Sequence, residues 1–316
     1  MAVGLAAIVA LVVASDPVRL VGVIGGFRLV LLPPILLLSI GFYVMQGLQW
    51  HVLLREVKVR IRLIDTLILN QTGQVSALLP LGEATRALLV ARAADAPLGA
   101  TMATITVQEL IYAGLLLLTA IPGALQFRAL ATPVIVAFFV VVAIFVILIV
   151  DPVFEAVMQL VIRIPVIRRV DKMARELQLD SELLLANKET YLWAWLALAR
   201  AIVGIAVLWL VVEAIAPGHL AWTQVAFVYS IAQIVSAISL SPGGLGTLEA
   251  GTTGLLVAVG IPFQDATAAA ILQRLCDKGF GTLTGLVLFV WVRKRYHFEG
   301  EALFSIRPSG APSTTG

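Results

Sequence analysis

Long runs of apolar residues alternate with short polar segments along the chain. A helix needs ~20 mostly apolar residues to cross the hydrocarbon core of a bilayer. The pattern predicts spanning helices at 1–15, 29–54, 99–121, 131–150, 190–216 and 265–292. No Lys or Arg precedes the first of these runs, so we interpret it as a short span rather than a cleaved signal peptide.

Two further apolar runs, 64–94 and 221–261, have a different pattern. Pro and Gly interrupt each run near its middle, and several polar residues occur along it. A helix that stops at membrane depth leaves backbone groups without partners, which is tolerated only inside protein or beside a water-filled cavity. Both runs are therefore predicted to be re-entrant helical hairpins. The expected fold class is an all-α integral membrane protein with about six transmembrane helices and two re-entrant hairpins.

The composition agrees with a membrane location. Of the 316 residues, 60% are hydrophobic and 13% are charged, whereas soluble domains contain about 25% charged residues. The net charge of +3 comes from cations that lie between the apolar runs. These cations indicate membrane topology rather than a nucleic-acid partner.

The distribution of Lys and Arg predicts which segments face the cytoplasm. If both hairpins return to the side from which they enter, the segments 55–63, 86–98, 151–189 and 293–316 share one side and contain sixteen of the twenty-two cations. Because cytoplasmic loops carry an excess of Lys and Arg, we expect both termini to be cytoplasmic. The expected location is the cell (inner) membrane.

The two interrupted runs resemble each other at an offset of about 160 residues. Both contain Gln and Ser before a Pro, a Gly and a Glu: Gln74 and Ser76 in the first copy correspond to Gln233 and Ser236 in the second. Downstream, Gln108-Glu109-Leu110 matches Gln273-Arg274-Leu275 at Gln and Leu. Three predicted spans separate the copies, so the second copy is inverted relative to the first. Inverted repeats with broken helices are a common transporter design.

We expect one transmembrane domain over 1–295, with halves at about 1–150 and 190–295. Apolar residues at helical spacing among the charges of 151–189 predict an amphipathic surface helix that links the halves. A solvated linker is the alternative for this segment. The low-complexity tail, 296–316, is predicted to be disordered.

The second interruption contains residues suited to bind a ligand through the backbone. Gly243, Gly244 and Gly246, which follow Pro242, permit positive φ angles and a close approach of the backbone. The helix that starts after them would present its N-terminus to an anion such as phosphate.

Ionisable side chains inside a bilayer cost ~3 kcal/mol or more, so each is a candidate for function. The candidates are Glu83, Arg86, Glu109, Glu249, Arg274, Asp277 and Lys278. Alternatively, they form structural ion pairs, such as Glu83 with Arg86 or Asp277 with Arg274. Glu249 has no cation nearby in sequence, which makes it the leading candidate. We expect Arg274 and Lys278 either to contact an anionic head group or to be neutralised by Glu249 and Glu109.

Two motifs, Pro80-Leu81-Gly82-Glu83-Ala84-Thr85-Arg86 and Pro242-Gly243-Gly244-Leu245-Gly246-Thr247-Leu248-Glu249, resemble the flippase-like transmembrane region of lysylphosphatidylglycerol synthases. The resemblance covers about residues 5–295. It implies an inverted-repeat membrane fold that moves an anionic or modified lipid between leaflets, with Glu83, Arg86 and Glu249 at motif positions. The family often has Glu-Arg where this chain has Gln108-Glu109, so the resemblance does not assign the head group.

The expected function is that of a lipid flippase, with a membrane lipid as substrate and no enzymatic activity, cofactor, metal or nucleic-acid partner. No synthetase domain follows the transmembrane region, so we do not expect the chain to aminoacylate lipid. Two alternatives stay open: a membrane-embedded transferase acting on lipid-linked sugars, and a non-catalytic partner of a lipid-synthesis enzyme or glycosyltransferase. The sequence does not predict an oligomeric state.

Overall fold

A computed structural model describes residues 9–76, 82–127, 131–161, 171–239 and 242–296, and every regular element within these ranges is helical. Residues 9–14 are helical and precede fourteen numbered helices. The numbered helices are α1 (Pro17–Gly25), α2 (Leu32–Glu56), α3 (Leu63–Gly73), α4 (Gly82–Ala93), α5 (Leu98–Gln126), α6 (Ala131–Ile149), α7 (Asp151–Val161), α8 (Asp171–Ala186), α9 (Lys188–Leu192), α10 (Ala194–Ile215), α11 (Trp222–Ile238), α12 (Thr247–Ala258), α13 (Phe263–Arg274) and α14 (Phe280–Tyr296).

Four helical segments within the described ranges are long and apolar enough to cross a membrane: Leu29–Glu56, Leu98–Gln126, Lys188–Ile215 and Phe263–Val292. They coincide with four of the predicted spans. The predicted span at 131–150 corresponds to α6, which ends at Ile149. α7 follows after a bend of 100°, and the bent pair provides a fifth crossing if the two helices form one span. The chain is therefore a multi-pass membrane protein.

The predicted span at 1–15 lies mostly outside the described residues. Its described part ends at Ser15, and α1 then starts at Pro17, which suits the first position of a helix because its missing N–H would lack a partner there. The Asp16 carboxylate accepts a hydrogen bond from Val18 N at 3.2 Å and caps this helix. The sequence did not predict α1. The predicted disordered tail lies outside the described residues from 297 onward.

Both interrupted runs form pairs of short helices. In the first pair, α3 continues into a 3-10 turn at Gln74–Ser76 and is followed by α4. In the second pair, α11 is followed by a 3-10 turn at Pro242–Gly244 and by α12. The helices of each pair pack against each other. Residues 77–81, which include part of the first motif, and residues 240–241 lie outside the described ranges.

The core lies where helices of the two halves cross. α2 packs on α10, α5 packs on α11, and α14 packs on α3. Phe42, Leu116, Leu208 and Phe227 are buried at these crossings. Apolar side chains on the outer faces, such as Phe139, are instead exposed, as expected where the surrounding solvent is lipid.

The span Phe263–Val292 contains an irregularity that the apolar pattern did not predict. Between α13 and α14 the helix widens into a π-helical turn at Leu275–Gly279. Such turns insert one residue into a helix and are frequent at functional sites. Here the turn contains Asp277 and Lys278 and lies near the middle of the span.

The segment 151–189, for which we expect an amphipathic surface helix, contains more than one helix in its described part. The described part of this segment forms α7, α8 and the start of α9, and residues 162–170 lie outside the described ranges. In addition, α8 packs along α5 and buries Ser181, Leu184 and Leu185. Its apolar stripe therefore contacts protein, so α8 is part of the packed structure.

A small residue allows α8 to approach α5 closely. A Cβ atom at Gly99 of α5 would lie 2.5 Å from the Glu176 Cβ atom of α8, whereas a Cβ at Gly114 of the same helix meets nothing within 4 Å. We therefore expect Gly99→Leu to displace α8 at a cost of ~1–3 kcal/mol, the usual range for overpacking. Limited trypsin digestion should show faster cleavage after Arg175. The matched variant Gly114→Leu should be cleaved like the wild type, and equal cleavage of both variants would contradict the packing argument.

Candidate functional site

The turn of the second helix pair has a backbone conformation that favours glycine. Gly243, Gly244 and Gly246 have φ angles of 58°, 66° and 79°. A Cβ atom on Gly244 would lie only 1.9 Å from Ser236 Oγ of α11. Glycine is therefore required at this position both by its φ angle and by its contact with α11.

A buried ion pair stabilises this turn. The Gly246 amide donates to Glu249 Oε2 at 2.8 Å, which caps the first turn of α12. Arg274 Nε lies 3.0 Å from Glu249 Oε1, and both side chains are at most 9% exposed. Nη2 and Nη1 of Arg274 donate to the carbonyls of Gly243 and Gly244 at 2.9 Å and 3.4 Å. One guanidinium therefore binds both a carboxylate and the carbonyl oxygens of the turn.

This geometry distinguishes between the alternatives for the second half, because Glu249 neutralises Arg274 and Asp277 does not. Glu249 is paired: its partner Arg274 is distant in sequence but adjacent in the fold, because α13 packs on α12. The alternative pair of Arg274 with Asp277 does not form. Asp277 instead accepts a hydrogen bond from the Tyr43 hydroxyl at 3.0 Å.

The first helix pair positions its arginine differently. Arg86 of α4 is fully buried, lies over the Trp50 ring at 4.9 Å from the ring centroid, and donates to Gln108 Oε1 at 2.9 Å. Gln108 in turn donates to the Gln46 carbonyl at 2.7 Å. The backbone of Glu83 belongs to α4, but its side chain is outside the described part, so its predicted pairing with Arg86 stays a prediction.

Two other predicted residues have local contacts in the 3-10 turn of the first pair. Ser76 Oγ donates to the Gly73 carbonyl at 2.8 Å, and Gln74 Nε2 donates to the Asn70 carbonyl at 3.5 Å. Both side chains are buried. In the described contacts they stabilise the end of α3.

Glu109 lies near the middle of its span and forms an ion pair with Arg200 of α10. Arg200 Nη2 and Nη1 lie 3.0 Å and 3.3 Å from the two carboxylate oxygens, and Gln46 Nε2 donates to one of them at 3.4 Å. Protein surrounds the Glu109 carboxylate closely enough to desolvate it, yet its side chain is 38% exposed. The Glu109 carboxylate is therefore partly accessible although protein surrounds it.

Sequence reasoning missed Arg200, although it lies inside the predicted span 190–216. Its side chain is 1% exposed, and its guanidinium stacks on the Tyr112 ring at 3.7 Å from the ring centroid. A cation–π contact of this kind is strongest where water is excluded. The criterion applied to the other ionisable residues, a charge inside an apolar run, would have identified it.

Lys278 is the cation at this depth that is accessible. Its side chain is partly exposed, and no carboxylate of the described residues forms an ion pair with it. Its charge acts on the Glu109 carboxylate, together with those of Arg200 and Arg86. Lys278 therefore lies close enough to Glu109 for the two charges to interact.

Hydroxyl and amide groups connect the charges of the two halves. The hydroxyls of Tyr112 and Tyr229 lie 3.0 Å apart, and the Gln233 side chain lies near the Tyr229 hydroxyl. Tyr229, Gln273 and Asp277 border a cavity of about 10 Å³. We call this set of groups at mid-depth of the spanning helices the polar layer, and its members are Gln46, Glu109, Tyr112, Arg200, Tyr229, Gln233, Gln273, Asp277 and Lys278.

The role of Arg274 in holding the turn can be tested by thermal unfolding in detergent. Arg274→Gln should destabilise the protein by ~3–5 kcal/mol, because Glu249 would stay buried without its counter-ion. The double variant with Glu249→Gln should recover part of this loss. The control is Arg19→Gln, since Arg19 and Asp16 form an exposed pair. A melting temperature of Arg274→Gln equal to that of Arg19→Gln would show that the pair does not hold the turn.

Comparisons with known proteins assign the family. The chain matches the family model of the lysylphosphatidylglycerol synthase TM region over residues 1–298. Comparisons with curated proteins and with solved structures gave no match. The match covers both helix pairs and all spanning helices described above, and the chain belongs to the family of the lysylphosphatidylglycerol synthase TM region.

Proposed function

We propose that the protein moves a lipid with an anionic head group between the leaflets of the membrane. The observation that carries the proposal is the accessibility of Glu109 and Lys278 near the middle of two spanning helices. Charged groups at this depth are costly unless they are paired or line a polar pathway. Lys278 has no described ion-pair partner and provides an ammonium group for a phosphate. The family, a membrane region of lipid-synthesis proteins, supports a lipid as the substrate.

We further propose that six spans and two re-entrant hairpins form an inverted repeat. The packing of the helices supports this arrangement, because contacts recur when the two halves are exchanged. In the proposed repeat α3 corresponds to α11, and α5 corresponds to α13 and α14. α3 packs on α14, and α11 likewise packs on α5. The counterparts α2 and α10 pack on each other, as expected for elements beside a pseudo-two-fold axis.

In this arrangement the two helix pairs enter the membrane from opposite sides. The cation distribution favours a cytoplasmic location for both termini and insertion in the cell membrane. A head group would then cross by way of the polar layer, while its acyl chains stay in the bilayer.

The proposal is tested with the purified full chain in liposomes that contain fluorescent phosphatidylglycerol. Transbilayer movement is measured by the fraction of the label that a membrane-impermeant quencher reaches over time. Wild-type protein should accelerate this movement. Lys278→Gln should slow it by about tenfold or more, since a charge-assisted hydrogen bond contributes ~1.5–3 kcal/mol.

The matched control is Lys294→Gln in α14, beyond the end of the spanning segment, where the side chain is exposed. This variant should retain the wild-type rate. The absence of acceleration with any anionic lipid would refute the proposal, and equal rates for the two lysine variants would exclude Lys278 from the pathway.

The two alternative functions remain predictions with distinct tests. A transferase would release product in detergent, where no second leaflet exists. A non-catalytic partner would co-purify with a lipid-synthesis enzyme. Deletion of 152–189 is unsuitable as a test of docking, because α8 packs on α5 and its removal would expose the core. Substitution of exposed residues such as Leu179 is the better test of a docking role.

A further inference from the structure

A groove of about 250 Å³ lies between α2, α3 and α14, outside the polar layer. Its walls are apolar and come from all three helices: Ile40, Val44, Leu67, Ile68, Phe280 and Leu288. Ile40 and Val44 are 47% and 41% exposed and lie near the middle of the span Leu29–Glu56. The groove therefore opens sideways at the depth of the hydrocarbon core.

The polar groups in the groove are engaged with the protein. Gln71 Nε2 donates to the Gly281 carbonyl at 3.0 Å and to Thr284 Oγ1 at 2.5 Å. Thr284 Oγ1 in turn donates to the Phe280 carbonyl at 2.9 Å. The Tyr43 hydroxyl donates to Asp277. These donors are already used, so the groove surface offers a lipid mainly apolar contacts.

An apolar opening at this depth suits hydrocarbon. Water would find few hydrogen-bond partners there, and a bare opening would forfeit dispersion contacts along its walls. The flexible acyl chain of a membrane lipid can fill such a shape, whereas a head group would lose its hydration without finding free partners.

The inner wall of the groove borders the polar layer. Tyr43 lines the groove, and its hydroxyl bonds to the Asp277 carboxylate, which lines the inner cavity beside Tyr229 and Gln273. Gly281 makes room for this contact, because a Cβ atom there would lie 2.4 Å from the Tyr43 hydroxyl oxygen. The contacts of the Tyr43 hydroxyl with Asp277 at the π-helical turn therefore lie between an apolar site and a polar one.

We propose that this groove binds an acyl chain of a membrane phospholipid next to the polar layer, with the Tyr43–Asp277 hydrogen bond as the partition between them. That the bound lipid is also the transported one rests on the proposed function. The binding site itself is argued from the shape, depth and apolar walls of the groove.

The site is tested by photolabelling the full chain in phosphatidylglycerol vesicles that contain a phospholipid with a diazirine on its acyl chain. Mass spectrometry of the labelled peptides should find the label concentrated in α2, α3 and α14. Val44→Trp should fill the groove and reduce labelling of these helices by about tenfold, which corresponds to ~1.4 kcal/mol of binding free energy. The matched control is Val142→Trp in α6, since Val142 is 38% exposed on another outer face.

Leu288→Trp fills the groove from the opposite wall and should give the same loss of labelling. It supplies the measurement if Val44→Trp fails to fold. Labelling spread evenly over the outer helices, or equal losses for the groove variants and Val142→Trp, would overturn the proposal. Labelling in the groove by a protein that moves no lipid would refute the transport function and leave the groove site intact.

Discussion

The second half of the protein depends on the contacts of the buried Arg274 guanidinium. A helix that stops inside a membrane leaves carbonyl oxygens without water to solvate them, and each costs several kcal/mol if it is left alone. Arg274 donates to the carbonyls of Gly243 and Gly244, while Glu249 balances its charge and caps the next helix. The same contacts therefore provide hydrogen-bond donors for the carbonyl oxygens of the turn and neutralise the buried charges.

Because Glu249 is paired with Arg274, other residues are better candidates to contact a head group. Within the described ranges, Glu109 and Lys278 are charged residues near the middle of spanning helices whose side chains are partly exposed. Arg200 and Tyr112 hold the Glu109 carboxylate in place, and the π-helical turn positions Lys278 beside Asp277. The motif residues thus stabilise the fold around the region in which we expect the head group to move.

Much of the fold could be predicted from the sequence because hydrocarbon imposes a simple length rule. Four predicted spans coincide with long apolar helices, and both runs interrupted by Pro and Gly form pairs of short helices. The π-helical turn could not be predicted, since Leu275–Gly279 has the same apolar and polar pattern as a regular turn. The angle of the bend after Ile149 could not be predicted for a related reason: an apolar pattern gives the length of a helix and not the direction in which the chain continues.

The candidate site was harder to predict because charges pair through space. Glu249 has no cation nearby in sequence, so several partners stayed open for Arg274, and the structure pairs the two residues across neighbouring helices. Arg200 was overlooked in a run that is mostly apolar. The exposure of the charged side chains could not be predicted either, since the sequence pattern does not distinguish the partly exposed Lys278 from the buried Arg274.

The two arginines associated with the helix pairs occupy non-equivalent positions, and under the proposed function this has a consequence for the conformational cycle. Arg86 belongs to the returning helix α4 and reaches forward to α5, whereas Arg274 belongs to α13, after the second pair, and reaches back to the turn. If the halves exchanged conformations during a cycle, the two end states would not be mirror equivalents in energy. The chain would then favour one of the two conformations at rest, although the proposed repeat relates its two halves.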